Sequence, residues 1–188
     1  MSYICPKCKK GYSQQEFYYQ KFCPDCESFL IAASSKVRQE HWLFQANPIK
    51  FRIFDWWEDH PDAKGMTWAV RQYQKNIRKG DKIVIWVAGP EGGIFATAEA
   101  NSNPSKLALW DPGEKEYWSD KMETLKINPR IRVKYIHKLF RKPISRNQCR
   151  NDPILSEFKI LQQSQGTNFP ITVTQWNRVN EIIRLGEK

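Results

Sequence analysis

The sequence has no apolar run approaching the roughly 20 residues that a membrane-spanning helix needs, so no span is expected. Its first ten residues, MSYICPKCKK, carry no apolar stretch of the signal-peptide kind. The expectation is a cytoplasmic chain with reduced thiols. No GxxxxGK[ST] phosphate loop and no nuclease signature occurs, which argues against nucleotide-driven or strand-cutting chemistry in this chain itself. Only three histidines are present, His41, His60 and His137, and none shares a recognisable catalytic motif with the lone cysteine Cys149. With no nucleophile and base pair and no paired carboxylates at suggestive spacing, the sequence reads as a binding protein and not an enzyme.

At 188 residues there is room for one ordinary domain plus a small appendage. The 40% hydrophobic content is globular, and the 13% aromatic share with eight tryptophans is high. Net charge is +10, unevenly spread. Residues 1–40 carry six Lys/Arg against four Asp/Glu, residues 41–125 carry 11 against 12, and residues 126–188 carry 13 against four. Lys126 to Arg150 holds nine basic residues and no acid, the pattern expected of a surface meeting phosphates, although a solvated basic face would look the same.

Four of the five cysteines stand as C-P-K-C (Cys5, Cys8) and C-P-D-C (Cys23, Cys26), separated by 14 residues. Each pair can turn two thiolates toward one ion, completing a tetrahedral four-cysteine zinc site. A segment of about 30 residues needs such a staple to fold, and four thiolates leave no open position for catalysis, so a structural Zn2+ is expected. Residues 1–30 are read as a zinc ribbon, 31–40 as a linker and 41–188 as the main domain.

Within the main domain, His41 to Pro48 reads as a short strand stopped by Asn-Pro, and 49–65 as irregular. GMTWAVRQYQKNI (65–77) fits a helix, because Met66, Val70, Tyr73 and Ile77 follow an i, i+4, i+7, i+11 spacing. That period puts Trp68 on the polar side beside Arg71, Gln72 and Lys75. Ile83 to Ala88 is an apolar run suited to a strand buried on both faces, and Lys82 to Ala100 reads as a hairpin with a five-residue loop. Asn101 to Asp120 reads as a long loop carrying Trp110, Tyr117 and Trp118. Arg130 to Tyr135 alternates, with Ile131, Val133 and Tyr135 on one face and Arg130, Arg132 and Lys134 on the other. Thr172 to Gln175 fits a capping box opening a helix with Trp176, Val179 and Ile183 inward. The fold class expected is α+β: a small, partly closed β-barrel flanked by helices, with the ribbon in front.

HWLFQANP, GMTWAVRQ, KGDKIVIWVAGPEGGIFATAEA and QGTNFPITVTQW, in this order, resemble the EVE domain, a PUA-like module related to YTH domains. The last segment resembles EVE modules of modification-dependent restriction systems. The resemblance covers roughly 41–185 and implies a reader of modified nucleobases, with a base flipped out of DNA, or taken from single-stranded nucleic acid, entering an aromatic pocket. It implies Trp68 as one cage wall, Trp110 or Trp118 as another, and Asn47 as a polar contact to the base, though Asn47 also fits a turn. Trp86 is a further pocket candidate, although its place inside an apolar strand favours the core. Arg71, Arg132, Lys134 and Arg141 are the phosphate-binding candidates. The favoured ligand is DNA carrying methylated or hydroxymethylated cytosine or methyladenine; the alternatives are modified RNA, or an adaptor role in which the ribbon recruits a nuclease effector.

Overall fold

A computed structural model describes residues 2–32, 40–105, 112–120, 129–163 and 165–186. Most of the expected linker falls at 33–39, outside the described residues. The chain divides into two compact units, Met1–Gln39 and Glu40–Lys188.

The first unit is a three-stranded sheet of β1 (Ser2–Ile4), β2 (Gly11–Ser13) and β3 (Ile31–Ala32), with β1 in the centre. Helix α1 (Gln14–Tyr19) starts in a complete capping box, Ser13 bonding the Glu16 amide and Glu16 reaching back. The core is small: Cys5, Tyr12, Cys23 and Leu30, with Phe17 stacked on Tyr3 at 3.7 Å.

The second unit is built on a curled seven-stranded mixed sheet. Its strands are β4 (His41–Ala46), β5 (Gly65–Ala69), β6 (Lys82–Val87), β7 (Gly93–Ala100), β8 (Arg130–Lys138), β9 (Ile144–Ser145) and β10 (Asn168–Ile171). The order is β10-β4-β6-β7-β8-β5, with β9 on β7. The β4–β6 pair is parallel and the others antiparallel. Helices α2 (Ile53–Asp59), α3 (Arg146–Asn151), α4 (Lys159–Gln162) and α5 (Val173–Gly186) surround it. Among the described residues no helix is long and apolar enough to cross a membrane.

Two cores explain the apolar strands. Alternation along β6 sends Ile83, Ile85 and Val87 to the concave side and Val84 and Trp86 to the convex side, so both faces are buried. The concave core takes Trp42, Phe44, Met66, Trp68, Ile131 and Val133. The convex core packs Leu43 and Trp86 against Cys149, Leu155, Phe158, Val179 and Ile183 from the helical side. Register shifts at Ile85/Trp86 and at Thr97/Ala98 bend the sheet, as bulges do. The five-residue hairpin loop and the Thr172–Gln175 capping box are present.

Three expectations are corrected. Residues 65–77 are not a helix: Gly65–Ala69 is strand β5, and Tyr73 to Ile77 form a turn, with Tyr73 at φ 56°. With a period of two, Met66 and Trp68 share one face, so the indole joins the concave core at 6% exposure. The stretch 49–65 contains α2, whose Trp56 and Trp57 are buried. Arg130 does not join the exposed basic row; it is buried, while Arg132 and Lys134 are exposed.

Candidate functional site

Among the described residues the sheet does not close through a strand ladder. Its terminal strands β5 and β10 are joined by side chains. The Asn168 carboxamide, 1% exposed, donates from Nδ2 to the Ala69 carbonyl at 3.3 Å and accepts at Oδ1 from the Arg71 amide at 3.1 Å. Gln72 Oε1 accepts in turn from the Thr167 and Asn168 amides at 3.0 and 3.2 Å. Gly166, at φ +132°, brings the chain past the Phe169 ring, where an added Cβ would lie 2.7 Å from Cζ. Farther along β5, the Thr67 amide turns to the free edge and donates to Glu114 at 2.7 Å. Glu114 is delivered by a 3-10 turn spanning Pro112–Tyr117.

Along this seam lies a cavity of about 470 Å³, within the range of small-molecule sites. Trp68 and Phe51 form apolar wall, and Trp118, 5.2 Å from Phe51 ring to ring, continues it. The opposite character comes from Thr67, Glu114 and Arg130. Both Glu114 oxygens are engaged by Thr67, one by the amide and the other by the hydroxyl in a short bond, and Arg130 lies 3.9 Å from the carboxylate. Burial draws the Arg130 guanidinium down to about 10 against the pull of Glu114. An aromatic wall beside fixed donors and acceptors suits a flat ligand with a hydrogen-bonding edge.

Of the sequence candidates, Trp68, Trp118, Asn47 and Arg71 line the cavity. Asn47 also makes a turn, its Oδ1 accepting from the Ile49 amide at 2.9 Å. Trp86 stands on the convex side, with the Arg146 guanidinium 5.7 Å over its ring, apart from the cavity. Arg132 and Lys134 point outward from β8, and Arg141 lines a separate groove with Lys138 and Phe140. Trp110 lies outside the described residues. Glu114, Thr67 and Asn168 are not among the residues expected from the sequence, which puts Arg130 in the exposed basic row. One signal was available: strand period across GMTWA would have set Thr67 and Trp68 on opposite faces of an edge strand.

The first unit gathers the sulfurs of Cys5, Cys8, Cys23 and Cys26 within 4.8 Å of one another. Four sulfurs bound 2.3 Å from one zinc ion stand about 3.8 Å apart; here Cys5–Cys26, Cys8–Cys23 and Cys23–Cys26 are 3.8, 3.6 and 3.6 Å apart. All are free thiols. The Tyr12 hydroxyl, 3.1 Å away, draws Cys23 down to about 6, while contact with Cys8 and then desolvation push Cys26 up to about 12. Four thiolates at this spacing repel unless a cation sits among them, so the donor set fits a tetrahedral metal ion. Each knuckle closes the same way: Lys9 and Glu27, at φ 64° and 54°, donate their amides to the Cys5 and Cys23 carbonyls at 3.0 and 2.8 Å.

A curled mixed sheet joined along one seam by side chains, with α3, α4 and α5 on its convex side and α2 against its concave core, defines a PUA-like domain. The EVE domain family matches residues 40–182, and the chain belongs to that family. Among solved structures, a hypothetical protein from Leishmania major superposes with TM-score 0.56 at 19% identity, covering 80% of this chain and 98% of that one. A Pseudomonas syringae protein gives 0.53 at 20% identity, covering 76% and 98%. The human THYN1 protein in complex with 5-methylcytosine-containing DNA gives 0.53 at 14% identity, covering 77% and 97%. These identities establish a shared fold. No curated protein matches the chain.

Proposed function

We propose that the second unit is a non-catalytic reader of a modified nucleobase in DNA, a methylated or hydroxymethylated cytosine or a methyladenine, received in the seam cavity after flipping. The observation that carries this reading is the cavity itself, where the Trp68 indole faces a space of about 470 Å³ whose other lining is polar and charged. Extruding a base costs a few kcal/mol, and stacking on an aromatic ring returns about 1–3 kcal/mol. Hydrogen bonds to the base edge supply the remainder. Support comes from the family and from the human relative crystallised with 5-methylcytosine-containing DNA.

In this reading Arg71 at the cavity and Arg132, Lys134 and Arg141 outside it hold phosphates. The first unit holds a structural Zn2+ through Cys5, Cys8, Cys23 and Cys26. Cleavage, where it follows recognition, belongs to a nuclease effector of a restriction or defence system, with this chain as its cytoplasmic sensor. The test is anisotropy binding of matched oligonucleotides with and without 5-methylcytosine, hydroxymethylcytosine or N6-methyladenine. Tighter binding to one modified form is expected, with affinity falling as salt rises. Equal affinity for modified and plain DNA would overturn the reading, and stronger binding to the matched modified RNA would reassign it to RNA.

A further inference from the structure

The cavity contains a buried acid that stacking and phosphate binding do not explain. Glu114 is 1% exposed and is the single carboxylate in the lining among the described residues. Both of its oxygens accept from Thr67 at the free edge of β5, and the Arg130 guanidinium stands 3.9 Å away, so each of these neighbours presents a donor to the carboxylate. Building this arrangement takes a turn at Pro112–Tyr117 that carries Glu114 inward and the burial of two charges, whose desolvation is costly.

Resting on the base-reading role above, we propose that Glu114 is the specificity element that admits bases bearing an exocyclic amino group and rejects thymine and uracil. A pocket that sensed only a methyl group on a pyrimidine would fail in DNA. Thymine carries a methyl at the same C5 position as 5-methylcytosine and is present throughout any genome. The two bases differ at their hydrogen-bonding edge: cytosine offers an N4 amino donor where thymine offers the O4 acceptor. An ionised carboxylate accepts and never donates. Set against N4–H it gains a charge-assisted bond; set against O4 it faces a second acceptor with water excluded. N6-methyladenine keeps one amino hydrogen and is admitted by the same rule. One edge contact of this kind is worth about 1–3 kcal/mol of discrimination, or roughly 5- to 150-fold in affinity.

The test uses the full chain and one duplex whose central base, opposite guanine, is 5-methylcytosine, cytosine, thymine or uracil. A thymine–guanine mismatch flips more readily than the matched pair, so a preference for 5-methylcytosine is measured against the grain. Wild-type protein is expected to bind 5-methylcytosine at least about tenfold more tightly than thymine. In Glu114→Gln, whose carboxamide can turn either oxygen or amino group to the base, that ratio is expected to fall to within about threefold. Should the Gln variant melt below assay temperature, Glu114→Asp, which keeps the charge and withdraws it by one methylene, is read for the same loss. Equal wild-type binding of 5-methylcytosine and thymine, with both above cytosine and uracil, overturns the role of Glu114 and leaves base reading intact. An unchanged ratio in a folded variant overturns it as well. Binding indifferent to all four bases, and to hydroxymethylcytosine and N6-methyladenine in the matched duplexes, overturns both.

Discussion

Asn168 reaches from β10 to the Ala69 carbonyl of β5, 3.3 Å away, and thereby helps to close the sheet where, among the described residues, no strand pairing joins its two ends. Its Oδ1 also accepts from the Arg71 amide, so removing the carboxamide takes the partner from two part-buried backbone groups on the β5 side of the seam. Each unsatisfied group costs about 1–3 kcal/mol. Asn168→Ala is expected to lose about 2–4 kcal/mol, lowering Tm by about 5–15 °C, and to weaken base binding beyond that loss because the cavity wall opens. Calorimetry and anisotropy on the same sample check both. A variant that melts like wild type would mean that the seam is held elsewhere.

Two tryptophans separate packing from recognition. Trp68 and Trp86 are both buried, on opposite faces of the sheet, and truncating either costs about 3–5 kcal/mol of stability. Of these two, Trp68 lines the cavity and Trp86 does not. Trp68→Leu is therefore expected to abolish the preference for modified DNA, losing about 1–3 kcal/mol of binding, whereas Trp86→Phe lowers Tm and leaves the preference unchanged. A lost preference in Trp86→Phe at a temperature where it is folded would count against the cavity as the reading site.

These two residues also show what a sequence reveals. Trp86 lies in a run so apolar that burial on both faces is the natural reading, and β4, β7 and β8 are as clear from alternation and turn residues. The C-x-x-C pairs announce their cluster by spacing alone. Trp68 misled because Met66, Val70, Tyr73 and Ile77 happen to match a helical period, although only Met66 lies in a strand; Ile77 is buried from a separate turn. Pairing with β8 overrides that local pattern. Glu114 was not legible, since an acid in a polar loop carries no mark of the inward turn that buries it. Asn168 is likewise defined by a contact across nearly a hundred residues.

The cysteine knuckles make a stability prediction of their own. Lys9 and Glu27 hold the left-handed conformation that costs a residue with a side chain about 1–2 kcal/mol and glycine almost nothing. Protein prepared without chelator is expected to contain one equivalent of zinc, and chelation to unfold the first unit. Lys9→Gly and Glu27→Gly are each expected to stabilise that unit by about 0.5–1 kcal/mol, part of the relieved strain being offset by greater freedom of the unfolded chain. Chelator competition with a zinc-sensitive dye measures this as slower, weaker extraction. Easier extraction from either variant would contradict the shared knuckle geometry.

Acid should loosen the convex side through one carboxylate. Asp152 accepts at Oδ1 from the Ile154 and Leu155 amides, both at 3.0 Å, and at Oδ2 from Arg178 Nε at 2.7 Å, tying the end of α3 to α5. Burial raises its pKa, but the bonds from Leu155, Arg178 and Ile154 together outweigh it, and the net shift is below the usual carboxylate value. A carboxyl lowered on folding stabilises the protein above its unfolded pKa, near 3.9, and that contribution disappears as pH falls through the folded value. Asp152→Asn keeps the Oδ1 acceptor and loses the charge facing Arg178. At pH 7 it is expected to be less stable than wild type by about 1–2 kcal/mol, with the gap closing below about pH 4 as the pH falls through the lowered pKa of wild-type Asp152. Urea denaturation at several pH values measures the gap directly. A difference that stayed constant to the lowest pH would show that the carboxamide variant fails through packing and not through the missing charge.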